Sequence, residues 1–173
     1  MESELQLKLK VISRAGIPEA VSKAELYRYL NEPEEAESIC RDILAVEPDH
    51  QLAMRLLGLA ITDQFRGDAS DRYAEAEKIF EALTRQYEHL YYTGLLHERR
   101  AKAQMLVGRP LRALAPLFEA AMRCFEEAEK IRPSDNDDSI LRWNRCARLL
   151  QSHPGFREEN EFQGFDAHDS SPI

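Results

Sequence analysis

The chain has 173 residues, of which 43% are hydrophobic and 31% charged, and its formal net charge is −8. A chain of this length buries enough surface to fold without disulfide or metal staples. The acidic balance argues against a phosphate-backbone partner and against an anionic membrane surface, both of which call for basic residues. Cys40, Cys124 and Cys146 are isolated, odd in number and set among apolar residues. They are expected to be reduced, buried side chains in a reducing compartment. Met1 to Lys10 contains acids and no apolar run, unlike a secretory signal. No stretch approaches the apolar length of a membrane span. A soluble, cytoplasmic protein is expected.

In chain order, residues 4–15 come first. Leu5, Leu7, Leu9 and Val11 alternate as in a strand, while Leu5, Leu9 and Ile12 suit one face of a helix. No second strand offers itself as a partner, so a helix is expected, stopped by Gly16, within an N-terminal segment covering 1–16. Residues 18–30 place Ala20, Val21, Ala24, Tyr27 and Leu30 at helical spacing. Asn31 and Glu32 make a turn, and Pro33 starts the next helix with Glu34 and Glu35 at its positive end. Ala36, Ile39, Cys40, Ile43 and Leu44 form its buried stripe. Glu47-Pro48-Asp49 ends it and offers Asp49 as the next N-cap.

The helix over 50–65 is apolar round most of its circumference and is placed centrally. Arg66 to Asp71 reads as a turn rather than an adhesion motif, despite its Arg-Gly-Asp tripeptide. A helix is predicted over 71–87 and another over 89–107, ended by Gly108-Arg109-Pro110. The next runs to about Ile131 with Leu114, Leu117, Phe118, Ala121, Phe125 and Ala128 inward. Asp135 to Asp138 lack the alternation of a calcium loop and read as helix-capping residues. The last helix, 138–152, carries Trp143, with Arg142 and Arg145 expected outside. Residues 153–173 lack periodicity and are expected to be an acidic, disordered tail. Its Phe156, Phe162 and Phe165 suggest that it docks on a helical surface.

Small residues recur along these helices. Tyr27, Ala36 and Pro48 lie 9 and 12 residues apart, and Gly58, Ala76 and Phe80 repeat part of the pattern. Ala101, Gly108, Ala113 and Ala120 repeat more of it. The chain resembles the tetratricopeptide repeat, a helix-turn-helix unit of 34 residues. A unit begun at Ile17 puts Ala24, Tyr27, Ala36 and Pro48 on family positions. A unit begun at Gln51 matches Leu57, Gly58, Ala76 and Phe80, with six residues inserted in its turn. A unit begun at Gly94 has an overlong second helix, and Trp143, Cys146 and Ala147 look like a further first helix.

The resemblance implies an all-α fold: a right-handed helical-hairpin solenoid of about three units plus a capping helix, over residues 17–152. It implies a concave groove lined by Glu25, Arg28 and Tyr29, then Arg55 and Asp63, then Glu98 and Lys102, then Asn144 and Arg148. Leu52, Leu59 and Leu95, at groove positions too, would instead serve packing. The family's clamp for a chain-terminal carboxylate is absent, because its positions hold Val21, Glu25, Arg55 and Leu59.

The implied function is non-enzymatic: an adaptor or scaffold that binds a protein or peptide and needs no cofactor. The rival is a self-associating subunit, a homo-oligomer whose groove is filled by its own tail or a second copy. His89 and His97 lie eight residues apart rather than the four of a zinc helix, so neither is read as a metal ligand. Tyr91, Tyr92, Arg99 and Arg100 read as an amphipathic helix rather than a nucleic-acid stacking surface.

Overall fold

The computed structural model of the chain describes residues 7–67 and 70–153. The tail from 154 onward and residues 4–6 of the N-terminal segment lie outside them. The described residues form α-helices joined by short turns, without a strand, and the chain divides between Gln64 and Phe65 into two compact units. The expected N-terminal helix is not present over residues 7–13. Leu7, Leu9 and Val11 are 80%, 85% and 82% exposed, so no surface covers them. A short helix with nothing to pack against does not recover the cost of nucleation. The first regular element among the described residues is a 3₁₀ turn, Arg14–Gly16, where the Ser13 hydroxyl accepts from the Gly16 N–H at 3.1 Å.

The first unit holds α1 (Ile17–Tyr29), α2 (Pro33–Val46) and α3 (Gln51–Asp63). Pro18 and Pro33 sit in the first turns of α1 and α2, where a missing N–H costs nothing. Between them Asn31 takes a left-handed conformation, φ 62°, and the Glu32 N–H bonds back to the Tyr27 carbonyl at 2.8 Å. Asn tolerates this region because its short polar side chain bonds locally. The reversal lays α1 on α2, with Ala24, Ala36, Cys40 and Ile43 fully buried. Asp49 does not cap α3. The His50 ring nitrogen Nδ1 accepts from the Ala53 N–H at 3.2 Å instead. α3 is buried from Leu56 through Thr62, round its whole circumference.

The second unit holds α4 (Ser70–Glu81), α5 (Gln86–Leu106), α6 (Leu111–Lys130) and α7 (Asp138–Ser152). α4 ends six residues before the predicted Tyr87. Neither glycine nor proline marks the break. Its cause is tertiary: Leu83 turns inward, only 5% exposed, and its N–H bonds to the Phe80 carbonyl. The His89 ring also donates to that carbonyl at 3.2 Å, tying the end of α4 to α5.

α6 keeps its predicted stripe, with Leu114, Phe118, Ala121, Phe125 and Ala128 at 1% exposure or less. Leu117 is only partly buried. With Cys146, Leu149 and Leu150 of α7 and Ala101 of α5, this stripe forms the core of the second unit. The turn before α7 is organised by Asn136, whose Oδ1 accepts from the Asp138 N–H at 2.9 Å and from the Tyr87 hydroxyl at 3.2 Å. Trp143 packs on the core rim and donates to Glu126 at 2.8 Å.

At Gly94, α5 packs tightly against α6. A Cβ there would lie 2.7 Å from the Phe125 ring and 3.0 Å from the Cys124 Cβ. Those distances are below van der Waals contact, so the ring would have to move within a packed core. Gly94→Ala is therefore expected to lower stability by about 1–3 kcal/mol. Urea denaturation would show this as a lower midpoint at unchanged slope. An unchanged midpoint would mean that Phe125 relocates at no cost.

Candidate functional site

The first unit brings two of its predicted groove residues into direct contact. Arg28 of α1 donates through Nε to Asp63 Oδ2 of α3 at 2.8 Å, with both side chains 21% exposed. The pair ties α1 to α3. Arg55 is half-buried on α3 and Glu25 is exposed on α1. Tyr29 is 88% exposed, and Leu26 and Leu30 are each 53% exposed. Residues at this spacing share one helix face, so α1 presents Leu26, Tyr29 and Leu30 as an apolar stripe to solvent. Of these, only Tyr29 is a family groove position. Leu30 reads in sequence as an ordinary member of the helical pattern, and the exposure of both leucines follows from which face α2 covers.

In the second unit Glu98 is not a groove-lining side chain. It is fully buried, and its Oε1 receives Lys102 of α5 and, at 3.5 Å, Arg142 of α7. Its Oε2 is buried too and has no hydrogen-bond partner among the described residues. Arg142, expected outside, faces inward because a carboxylate without water requires a cation. Burial opposes the charge of Arg142, but the Glu98 charge beside it and its bond to Tyr91 outweigh this and raise its pKa. Burial likewise raises the Tyr91 hydroxyl. Asn144 is half-buried and Arg148 exposed, and neither bonds to Glu98 or Lys102. The structure thus gathers Glu98 and Lys102 with Arg142 and Tyr91, and leaves Asn144 and Arg148 apart.

The remaining polar side chains are engaged locally. Tyr91 stacks on Tyr87 and lies against Phe125, while Tyr92 stacks on Phe80 at 5.4 Å. The Arg100 guanidinium lies 4.2 Å from the centre of the Tyr73 ring, whose hydroxyl meets His97 Nδ1 at 3.1 Å. Burial lowers the His97 pKa, and Arg100 and Arg123 add to this against Glu77. Burial raises the thiols of Cys40 and Cys146 to about 12 each, with the Glu98 charge adding at Cys146. Among the described residues, no three His, Cys, Asp or Glu side chains gather closely enough to hold a metal ion. No helix among them is long and apolar enough to cross a membrane.

No protein-family model matches the chain, and no curated protein or solved structure matches it either. The likeness to tetratricopeptide repeats rests on the residues named above.

Arg142→Met would leave Glu98 with Lys102 alone. The expected loss is about 1–3 kcal/mol, since a buried acceptor loses a charged donor while a second one remains. Thermal or urea unfolding would measure it, and no loss would mean that Lys102 alone satisfies the carboxylate.

The shifted groups also predict a pH window. A thiol raised from 9.0 to about 12 favours the folded state below pH 9, and that contribution is lost as pH rises from 9 toward 12. Tyr73, Tyr87 and Tyr91, raised above 10.0, act in the same direction. His97, lowered from 6.5, has the opposite sign: its contribution is present above pH 6.5 and is lost as pH falls below it. The urea midpoint should therefore be highest between pH 6.5 and 9. A midpoint that keeps rising through pH 10 would contradict this.

Proposed function

We propose that the chain is a non-enzymatic protein-binding module, a short tetratricopeptide-like solenoid acting as an adaptor or scaffold in the cytoplasm. One observation carries the reading. Within each unit, helices that are next but one in sequence touch: α1 meets α3, and α5 meets α7. In a right-handed solenoid of helical hairpins the first helices of successive units stand side by side and line the concave surface. The Arg28–Asp63 and Glu98–Arg142 pairs join first helix to first helix in that way. No cofactor is required.

The contact residues favoured in the first unit are Tyr29, Leu26 and Leu30, beside the Arg28–Asp63 pair. Aromatic and arginine side chains are the usual energetic centres of protein interfaces. An extended peptide or a helix laid along α1 would bury the stripe, with Glu25 and Arg55 setting register at its rim. Self-association is the competing reading, because the same stripe would serve a second copy.

A display selection of random peptides on the immobilised full chain tests the proposal. Selected peptides should bind wild type and lose roughly thirtyfold or more in affinity with Tyr29→Ala, the loss typical of an interface centre. Tyr29 is 88% exposed, so that substitution should leave folding intact. Failure to select any peptide, or equal binding by the variant, would refute the groove. Light scattering that finds a dimer dissociated by Tyr29→Ala would favour self-association.

A further inference from the structure

The Glu98 cluster is charged unevenly. Two cations, Lys102 and Arg142, stand on a single carboxylate, Glu98, an excess of one positive charge within the cluster. This is a local reversal in a chain whose net charge is −8.

Exposure is uneven as well. Glu98 is shut off from solvent, while the side chains of Lys102 and Arg142 remain 32% and 35% exposed. Each cation is bound to the buried Oε1 while part of its side chain stays open to solvent, and each head group carries more N–H donors than that contact uses. Oε2 has no hydrogen-bond partner among the described residues.

We propose that Lys102 and Arg142 form a receiving site on the second unit for a side-chain carboxylate, an Asp or Glu of an acidic protein segment. The site refines the protein-binding reading above and rests on it. The ligand is a single carboxylate because one positive charge is in excess, and because the acidic chain as a whole repels a dense polyanion. Lys102 and Arg142 would touch the ligand, and Glu98 would compete with it for their N–H donors.

This arrangement predicts opposite effects for two neighbouring substitutions. Lys102→Gln removes a receiving cation and weakens binding. Glu98→Gln keeps the shape, removes the competing anion and strengthens binding. A purely structural role for Glu98 would not produce that gain.

The test uses the full chain and a fluorescent peptide of alternating Glu and Ala, acetylated and amidated so that its ends carry no charge. Anisotropy at low ionic strength reports affinity. Wild type should bind this peptide and not its Gln-for-Glu counterpart, and added salt should weaken the complex. Lys102→Gln should lose roughly fivefold, the upper range for a partly exposed charge, and Glu98→Gln should gain by a similar factor. Circular dichroism and urea unfolding establish that each variant folds. Should Lys102→Gln fail to fold, the Glu98→Gln gain decides alone.

Absent binding by wild type, equal binding of the Gln peptide, or indifference to both substitutions would overturn the site. So would binding confined to a Gln peptide with a free chain terminus, which would point to a terminal carboxylate instead. The protein-binding reading survives each of these, provided that the display selection yields peptides dependent on Tyr29.

Discussion

A carboxylate without water imposes the strictest constraint on the second unit. An ionised Glu98 in the interior would cost several kcal/mol if left alone. Lys102 is one helical turn away on the same helix and reaches it wherever α7 lies. Arg142 reaches it only if α7 sits beside α5 in one rotation. The bond therefore selects a single seating of α7, in which Cys146, Leu149 and Leu150 close over Phe118 and Phe125. The apolar contacts supply most of the stabilisation there, and the ion pair supplies the specificity. In the first unit the Arg28–Asp63 pair joins α1 to α3 in a comparable way, at the half-buried edge rather than in the core.

Small residues govern the other spacing in the molecule. Ala24 and Ala36 are fully buried on α1 and α2. A tight contact between α5 and α6 depends on Gly94, a residue that in sequence merely marks where a repeat unit is taken to begin. Its role appears only once Phe125 is seated against it. Nothing local in the sequence distinguishes a glycine that admits an aromatic ring from one that loosens a helix.

The helices were legible wherever periodicity and turn chemistry agreed. Proline at a first turn, Asn31 in a reversal and the wide apolar circumference of α3 all act within a few residues. The features that misled depend on distant partners. The alternating stretch over 7–13 reads as a helix for want of a partner strand, but a helix there also needs a surface to cover its face, and none does. The end of α4 is set by Leu83 and by a histidine eight residues beyond Glu81. Among the groove candidates, Arg28 with Asp63 and Glu98 with Lys102 do meet. Exposure separates Tyr29, which is free to bind, from Glu98, which is not. Solvation of a charged helical residue is a property of the assembled unit rather than of its repeat position.

The buried cysteines have a consequence of their own. Cys40 lies in the first unit and Cys146 in the second, each without solvent exposure and each with its thiolate suppressed. An oxidant or alkylating agent that needs the thiolate finds neither while both units are closed. Local opening releases only the thiol of the unit that opens. Covalent damage would then fall on whichever unit spends more time open, recording its fluctuations as a permanent mark on one cysteine and leaving the other intact.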